Sequence, residues 1–283
     1  MSIKTAMVIG AGQMGGGIAQ IMAQRGIKTY LNDVEAGIVA SRKKFIQSLL
    51  DKDVTKGRIT GEQRDAALAA LIPSTDLSDA ADCDLVVEAI VEKMEVKGKV
   101  FAALDGICKP GCILASNTSS LPITELAAFT QRPGQVIGMH FMNPVPVMRL
   151  VEVIRGLATS DETCRAVRDL SLALGKTPVE VRDVPGFISN RVLQIMINEA
   201  VYCLYEGVAT AEDIDTVMKL GMNHPMGPLQ LADFIGLDTV LAIMETLYDG
   251  YADCKYRPCP LLRQYVKAGW LGKKSGRGFY QYD

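Results

Sequence analysis

Thr5-Ala-Met-Val-Ile-Gly-Ala-Gly-Gln-Met-Gly-Gly-Gly-Ile-Ala-Gln20 decides the fold. An apolar run enters Gly10-x-Gly12-x-x-Gly15 and leaves as an apolar-periodic segment, in the order strand, glycine loop, helix. Gly10 permits the tight turn, Gly12 lets the backbone approach a pyrophosphate, and Gly15 allows the helix to pack on the strand. The first N–H groups of such a helix face the phosphates. Asp33 lies 18 residues beyond Gly15, at the end of the next short strand. There it can accept hydrogen bonds from both ribose hydroxyls and would repel a 2′-phosphate. A dinucleotide site is expected, with NAD favoured over NADP. The competing role for Asp33 is that of a helix N-cap before Val34-Glu35-Ala36.

Short apolar strands and helical patterns alternate beyond this stretch. Strands are expected at 6–9, 29–32, 85–88, 113–116, 136–140, 150–154 and 177–181. Between the second and third of these lies an insert, 35–71, whose periodic halves flank the charged stretch Asp51-Lys-Asp-Val-Thr-Lys-Gly-Arg-Ile-Thr60 and read as a helical hairpin projecting from the sheet. After Arg182-Asp-Val-Pro-Gly-Phe187 strand signals vanish, and helices are expected at 188–206, 211–221, 228–234, 237–248 and 260–268. Pro185 suits the first turn of the helix beginning there, with Asp183 as its cap. The fold class is therefore α/β: an N-terminal Rossmann-type, doubly wound sheet with a helical hairpin (1–184), then an all-α C-terminal domain (185–283). Leu193, Ile197, Val201 and Leu204 form an apolar stripe that suits either a self-contained bundle or a homodimer surface.

A chain of 283 residues with a formal charge of −2 and scattered Lys and Arg carries no basic stripe for nucleic acid. No apolar stretch is long enough to cross a bilayer, and a strand begins too early for a signal or transit peptide, so a cytoplasmic protein without membrane contact is expected. Its seven cysteines are odd in number, show no Cys-x-x-Cys spacing and read as reduced packing residues, with no metal site.

Of the two histidines, His140 ends a strand in Val136-Ile-Gly-Met-His-Phe-Met-Asn-Pro-Val-Pro146, and Glu152 lies in Leu150-Val-Glu-Val-Ile154. A glutamate inside such an apolar run either points to solvent or is buried with a partner, because burial without one costs several kcal/mol. An imidazole would satisfy it. Alcohol oxidation with NAD needs a base for the hydroxyl proton, and an imidazole, ordinarily titrating at about pH 6.5, suits that task. His224, in Gly221-Met-Asn-His-Pro-Met-Gly227, reads as a loop or interface residue.

Gly10-Ala-Gly-Gln-Met-Gly15, Ala115-Ser-Asn-Thr-Ser-Ser120, His140-Phe-Met-Asn-Pro-Val-Pro146, Asp183-Val-Pro-Gly-Phe-Ile-Ser-Asn-Arg191 and Met226-Gly-Pro228 occur in that order. Over essentially its whole length the chain resembles the 3-hydroxyacyl-CoA dehydrogenase family, in its short monofunctional form. The resemblance implies a catalytic pair, His140 and Glu152, with Ser119 and Asn190 contacting the substrate's 3-oxygen. It also implies cofactor contacts from Gln13, Met14, Glu92, Lys97, Ser119, Asn143 and Lys274. Lys52 and Lys56 on the hairpin would meet the phosphates of coenzyme A. The implied reaction is reversible hydride transfer between NAD and a short-chain (S)-3-hydroxyacyl-CoA such as 3-hydroxybutyryl-CoA, and closure of the helical domain would bring Asn190 to the hydroxyl. Two rivals remain: a 3-hydroxyacid or 6-phosphogluconate-type dehydrogenase, which uses lysine for proton transfer, and a non-catalytic dinucleotide-binding protein.

Overall fold

The computed structural model describes residues 3–283. Eight strands form one sheet: β1 (Thr5–Ile9), β2 (Lys28–Asn32), β3 (Leu71–Ser74), β4 (Leu85–Glu88), β5 (Ile113–Ser116), β6 (Val136–Phe141), β7 (Leu150–Arg155) and β8 (Thr177–Arg182), in the order β3-β2-β1-β4-β5-β6-β7-β8. Strands β1 to β6 run parallel; β7 reverses against β6, and β8 follows β7. The chain winds outward from β1 to β3 and then returns to β4. That creates a switch point between β1 and β4, where ligands bind in open α/β sheets. Strands β4, β5 and β6 are buried along their whole length, as a parallel sheet covered on both faces requires.

Nothing in the sequence announces β3. Its four residues include Pro73 and follow a helix directly, yet Pro is tolerated because β3 is the outer strand of the sheet. The helices of this part are α1 (Gln13–Gln24), α2 (Ala36–Thr55), α3 (Gly61–Ala70), α4 (Met94–Ile107), α5 (Ile123–Ala127) and α6 (Asp161–Ala173). The α2–α3 hairpin does not simply project. Val39, Ile46, Leu50 and Ala67 on its inner side are buried in the same core as β1, β2 and α1. Thr60 and Gln63 form a reciprocal cap that starts α3.

Two compact units meet in sequence after Asp183. The second contains α7 (Ser189–Tyr205), α8 (Ala211–Gly221), α9 (Pro228–Ile235), α10 (Leu237–Tyr251) and α11 (Pro260–Lys267) around a core of Ile197, Val201, Leu229, Leu237, Val240 and Leu262. The expectation that Pro185 opens its first helix and Asp183 caps it is corrected. The helix starts at Ser189, and Asp183 instead accepts from the Ile123 and Thr124 N–H groups (3.0 and 2.7 Å), capping α5. All seven cysteines are free thiols, and five are buried. Among the described residues no helix is long and apolar enough to cross a membrane, and no cluster of His, Cys, Asp or Glu could hold a metal.

Candidate active site

The carboxyl ends of β1, β2, β4, β5 and β6 share one edge of the sheet, and the glycine loop, Asp33, Glu88, Ser116–Ser119 and His140 all fall there. Gly10 adopts φ +98°, and a methyl group at Gly15 would stand 1.8 Å from the Gly10 carbonyl oxygen, so neither position accepts a side chain. At Gly12 an added carbon meets nothing within 4 Å, which leaves open space above the N-terminus of α1 for a phosphate. Gln13 opens that helix and Met14 follows it, so their N–H groups belong to the unpaired first turn. Asp33 Oδ2 accepts from the Ala11 N–H at 2.8 Å, which ties the acid at the end of β2 to the glycine loop. It does not cap α2, whose N-cap is Glu35. Beside it a pocket of ≈ 550 Å³ is lined by Ala11, Glu35, Gly37, Ile38, Ser41, Arg42 and Phe45. These residues fit a dinucleotide.

His140 and Glu152 are register partners across the antiparallel β6–β7 pair. Directly opposed residues share a face, and His140 Nδ1 lies 2.8 Å from Glu152 Oε2. Both are buried, at 6 % and 2 % exposure. Glu152 thus has the partner that its apolar surroundings demand. A carboxylate on Nδ1 holds the proton there and makes Nε2 the ring's basic atom.

Ser119 is positioned by a network that the sequence reading misses. Glu92 Oε1 accepts from Thr118 Oγ1 (2.5 Å), the Ser119 N–H (2.8 Å) and the Ser120 N–H (3.1 Å). Burial acts to raise the Glu92 carboxyl, but the Lys97 charge and the Thr118 and Ser119 hydrogen bonds hold it below the ordinary value. Fully buried Glu88 bonds Lys97 Nζ at 2.6 Å and Ser116 Oγ at 2.7 Å, and Asn117 Oδ1 accepts from the Phe141 N–H at 2.9 Å. The loop is therefore pinned to β4, α4 and β6 together.

Lys97 has protein partners of its own. It is 1 % exposed, and its ammonium faces Glu88, Glu92 and the Ile90 carbonyl, so it also braces the loop from within the protein. Asn143 and Gln13 are brought together by a 2.9 Å bond from Gln13 Nε2 to Asn143 Oδ1. Lys52, in the last turn of α2, and Lys56, its C-cap, are both exposed.

The model of the 3-hydroxyacyl-CoA dehydrogenase NAD binding domain matches residues 5–184, and that of the C-terminal domain of the same enzymes matches residues 186–282. The chain belongs to the 3-hydroxyacyl-CoA dehydrogenase family. It is 61 % identical over 283 residues to a probable 3-hydroxybutyryl-CoA dehydrogenase of Bacillus subtilis, covering 100 % of this chain and 99 % of that one. A 3-hydroxybutyryl-CoA dehydrogenase of Bradyrhizobium diazoefficiens is 55 % identical over 280 residues, covering 99 % and 96 %. The crystal structure of (S)-3-hydroxybutyryl-CoA dehydrogenase from Ralstonia eutropha superposes with a TM-score of 0.98 at 51 % identity, covering 100 % of both chains.

In this member of the 3-hydroxyacyl-CoA dehydrogenase family the C-terminal unit carries Asn190, His224 and Lys274. Asn190 is the second residue of α7, just after a turn in which Gly186 (φ +74°) and Phe187 (φ +50°) are both left-handed. For a buried Phe that conformation is strained, and it persists because the surroundings hold it. Arg191 supplies part of that hold. Its guanidinium donates to the Tyr251 and Tyr256 hydroxyls at 3.0 Å each and sits 4.6 Å from the Tyr251 ring centre. Arg191 closes the Asp183–Arg191 motif, to which the sequence reading gave no such role. Lys274 is paired with Asp238 at the start of α10 (2.7 Å), and His224 lies half-buried in the turn after α8.

Proposed function

We propose that this chain catalyses the reversible oxidation of short-chain (S)-3-hydroxyacyl-CoA, with 3-hydroxybutyryl-CoA and acetoacetyl-CoA as the pair, using NAD. The buried His140–Glu152 pair, in cross-strand register at the ligand-binding edge of the sheet, carries this reading. In oxidation His140 Nε2 takes the hydroxyl proton and Glu152 stabilises the imidazolium that forms. NAD held at the glycine loop would supply the hydride acceptor for the 3-carbon. Ser119 and Asn190 hold the 3-oxygen, and the Glu92 network fixes the loop that presents Ser119. In reduction the imidazolium returns the proton. Lys52 and Lys56 are assigned to the coenzyme A phosphates, as charge complementarity at an exposed helix end supports.

The assay is NADH consumption with acetoacetyl-CoA. Turnover is expected; activity only with a free hydroxy acid would favour the 6-phosphogluconate-type rival, and cofactor binding without turnover the non-catalytic one. NADH is the assigned cofactor over NADPH: Asp33 ends β2 tied to the glycine loop, and a carboxylate there would repel a 2′-phosphate. Asp33→Ala is expected to weaken NADH about tenfold, the loss typical of a charge-assisted hydrogen bond, and to narrow its advantage over NADPH. An unchanged NADH to NADPH ratio of kcat/KM would remove the ribose role.

We further assign a cytoplasmic homodimer. Exposed Val192, Val217, Leu220, Met222 and Phe234 on the C-terminal unit support it as apolar surface suited to a second copy.

A further inference from the structure

Lys176 is a buried cation that the proton and hydride chemistry does not use. It lies between α6 and β8 at 7 % exposure, and its Nζ donates to the backbone carbonyls of Val145 (2.5 Å) and Met148 (2.8 Å). Burial lowers its pKa from the usual lysine value. The two carbonyl dipoles oppose that effect, and the ammonium in turn satisfies two carbonyls that would otherwise lack this donor.

Both acceptors belong to the segment linking β6 to β7, which the dinucleotide helix holds from another side. Gln13, the first residue of α1, bonds Asn143, and Val145 packs so closely on Gly17 that an added Cβ there would fall 2.8 Å from the Val145 Cβ. Within the segment the Val147 and Met148 N–H groups both donate to the Pro144 carbonyl, at 3.0 and 2.9 Å, so it is one compact turn.

The position of this turn gives it a task. Asp33 at the end of β2 places the adenosine half of a dinucleotide on the β2 side of the switch point, so the other half runs over the ends of β4, β5 and β6. Asn143 stands just past the end of β6. We propose that Lys176 is a positioning residue for the nicotinamide half of the cofactor: by clamping the Val145 and Met148 carbonyls it holds Asn143 and the turn against α1. The inference rests on the dinucleotide reading of the glycine loop and extends it to a residue remote from the cofactor.

Calorimetric titration with NADH and with ADP-ribose, which keeps the adenosine and pyrophosphate but lacks nicotinamide, tests it. Lys176→Met is expected to raise the NADH Kd about tenfold and to leave ADP-ribose binding unchanged. Asn143→Ala should show the same selectivity, and the double variant should lose less than the two single losses combined, as coupled neighbours do. Lys176→Gln, which keeps a shorter donor, should repeat the pattern at smaller amplitude and serves if the Met variant does not fold. Equal weakening of both ligands would overturn the proposal, because the lysine would then support the fold generally. Unchanged binding of both would overturn it too, since the turn would be holding itself. A wild-type protein that binds neither ligand overturns the dinucleotide reading and this inference together.

Discussion

His140→Gln is expected to lower kcat for acetoacetyl-CoA reduction by about 10²–10⁴-fold, the range that a positioned proton-transfer group supplies, while NADH affinity stays within a few-fold. The side chain pairs with Glu152 on β7, at the other end of the site from the glycine loop after β1, so its loss should spare the cofactor. Glu152→Gln should fall steeply as well. An amide can present N–H to Nδ1, which favours the wrong tautomer; in the comparable carboxylate–imidazole pair of serine proteases this change costs about 10⁴-fold. Steady-state kinetics beside NADH titration separates the possibilities. If cofactor binding collapses together with turnover in His140→Gln, the histidine supports the fold and the proton-transfer role is wrong.

Lys97→Met is expected to give the largest loss of stability. Removing one partner of a buried ion pair typically costs about 3–5 kcal/mol, because the other charge stays behind uncompensated. Here the stranded group is chiefly Glu88, fully buried on β4; Glu92 is partly exposed and contributes less. Urea unfolding should show an earlier midpoint, and Glu88→Gln combined with Lys97→Met should recover part of the loss, since the buried charge then goes too. The surviving folded fraction of Lys97→Met should also show a raised KM for acetoacetyl-CoA, through the slackened Ser119 loop. A midpoint that does not move would mean the Glu88–Lys97 contact is not sustained in solution.

Most of the sheet was legible because buried parallel strands read as short apolar runs, as in Leu85–Glu88 and Ile113–Ser116. β3 was not, since only Leu71 and Ile72 are apolar and Pro73 argues against a strand anywhere but an edge. The His140–Glu152 pair was legible for an energetic reason: a carboxylate between two valines must find a partner, and few were on offer. The same reasoning applied to Glu88, at the end of Leu-Val-Val-Glu, would have pointed to a second buried acid. Its partner could not be read, because Lys97 reaches it only through the way α4 packs on the sheet. Asp183 failed in the same manner. Its N–H partners lie some 60 residues earlier in the chain, whereas local capping rules reach only the next turn of backbone.

The strand reversal at β7 places the acid and the imidazole on one rung of the β6–β7 ladder, so their spacing is inherited from backbone pairing and not from any connecting segment. Sliding either strand by a single residue would send one of the two to the opposite face of the sheet. Insertions between β6 and β7 that preserve the pairing should therefore leave the acid–imidazole contact in place, whatever they do to the turn held by Lys176, whereas a one-residue deletion inside either strand should abolish it outright. The reacting pair is thus locked to the lattice of the sheet, whatever the length of the chain that joins its two strands.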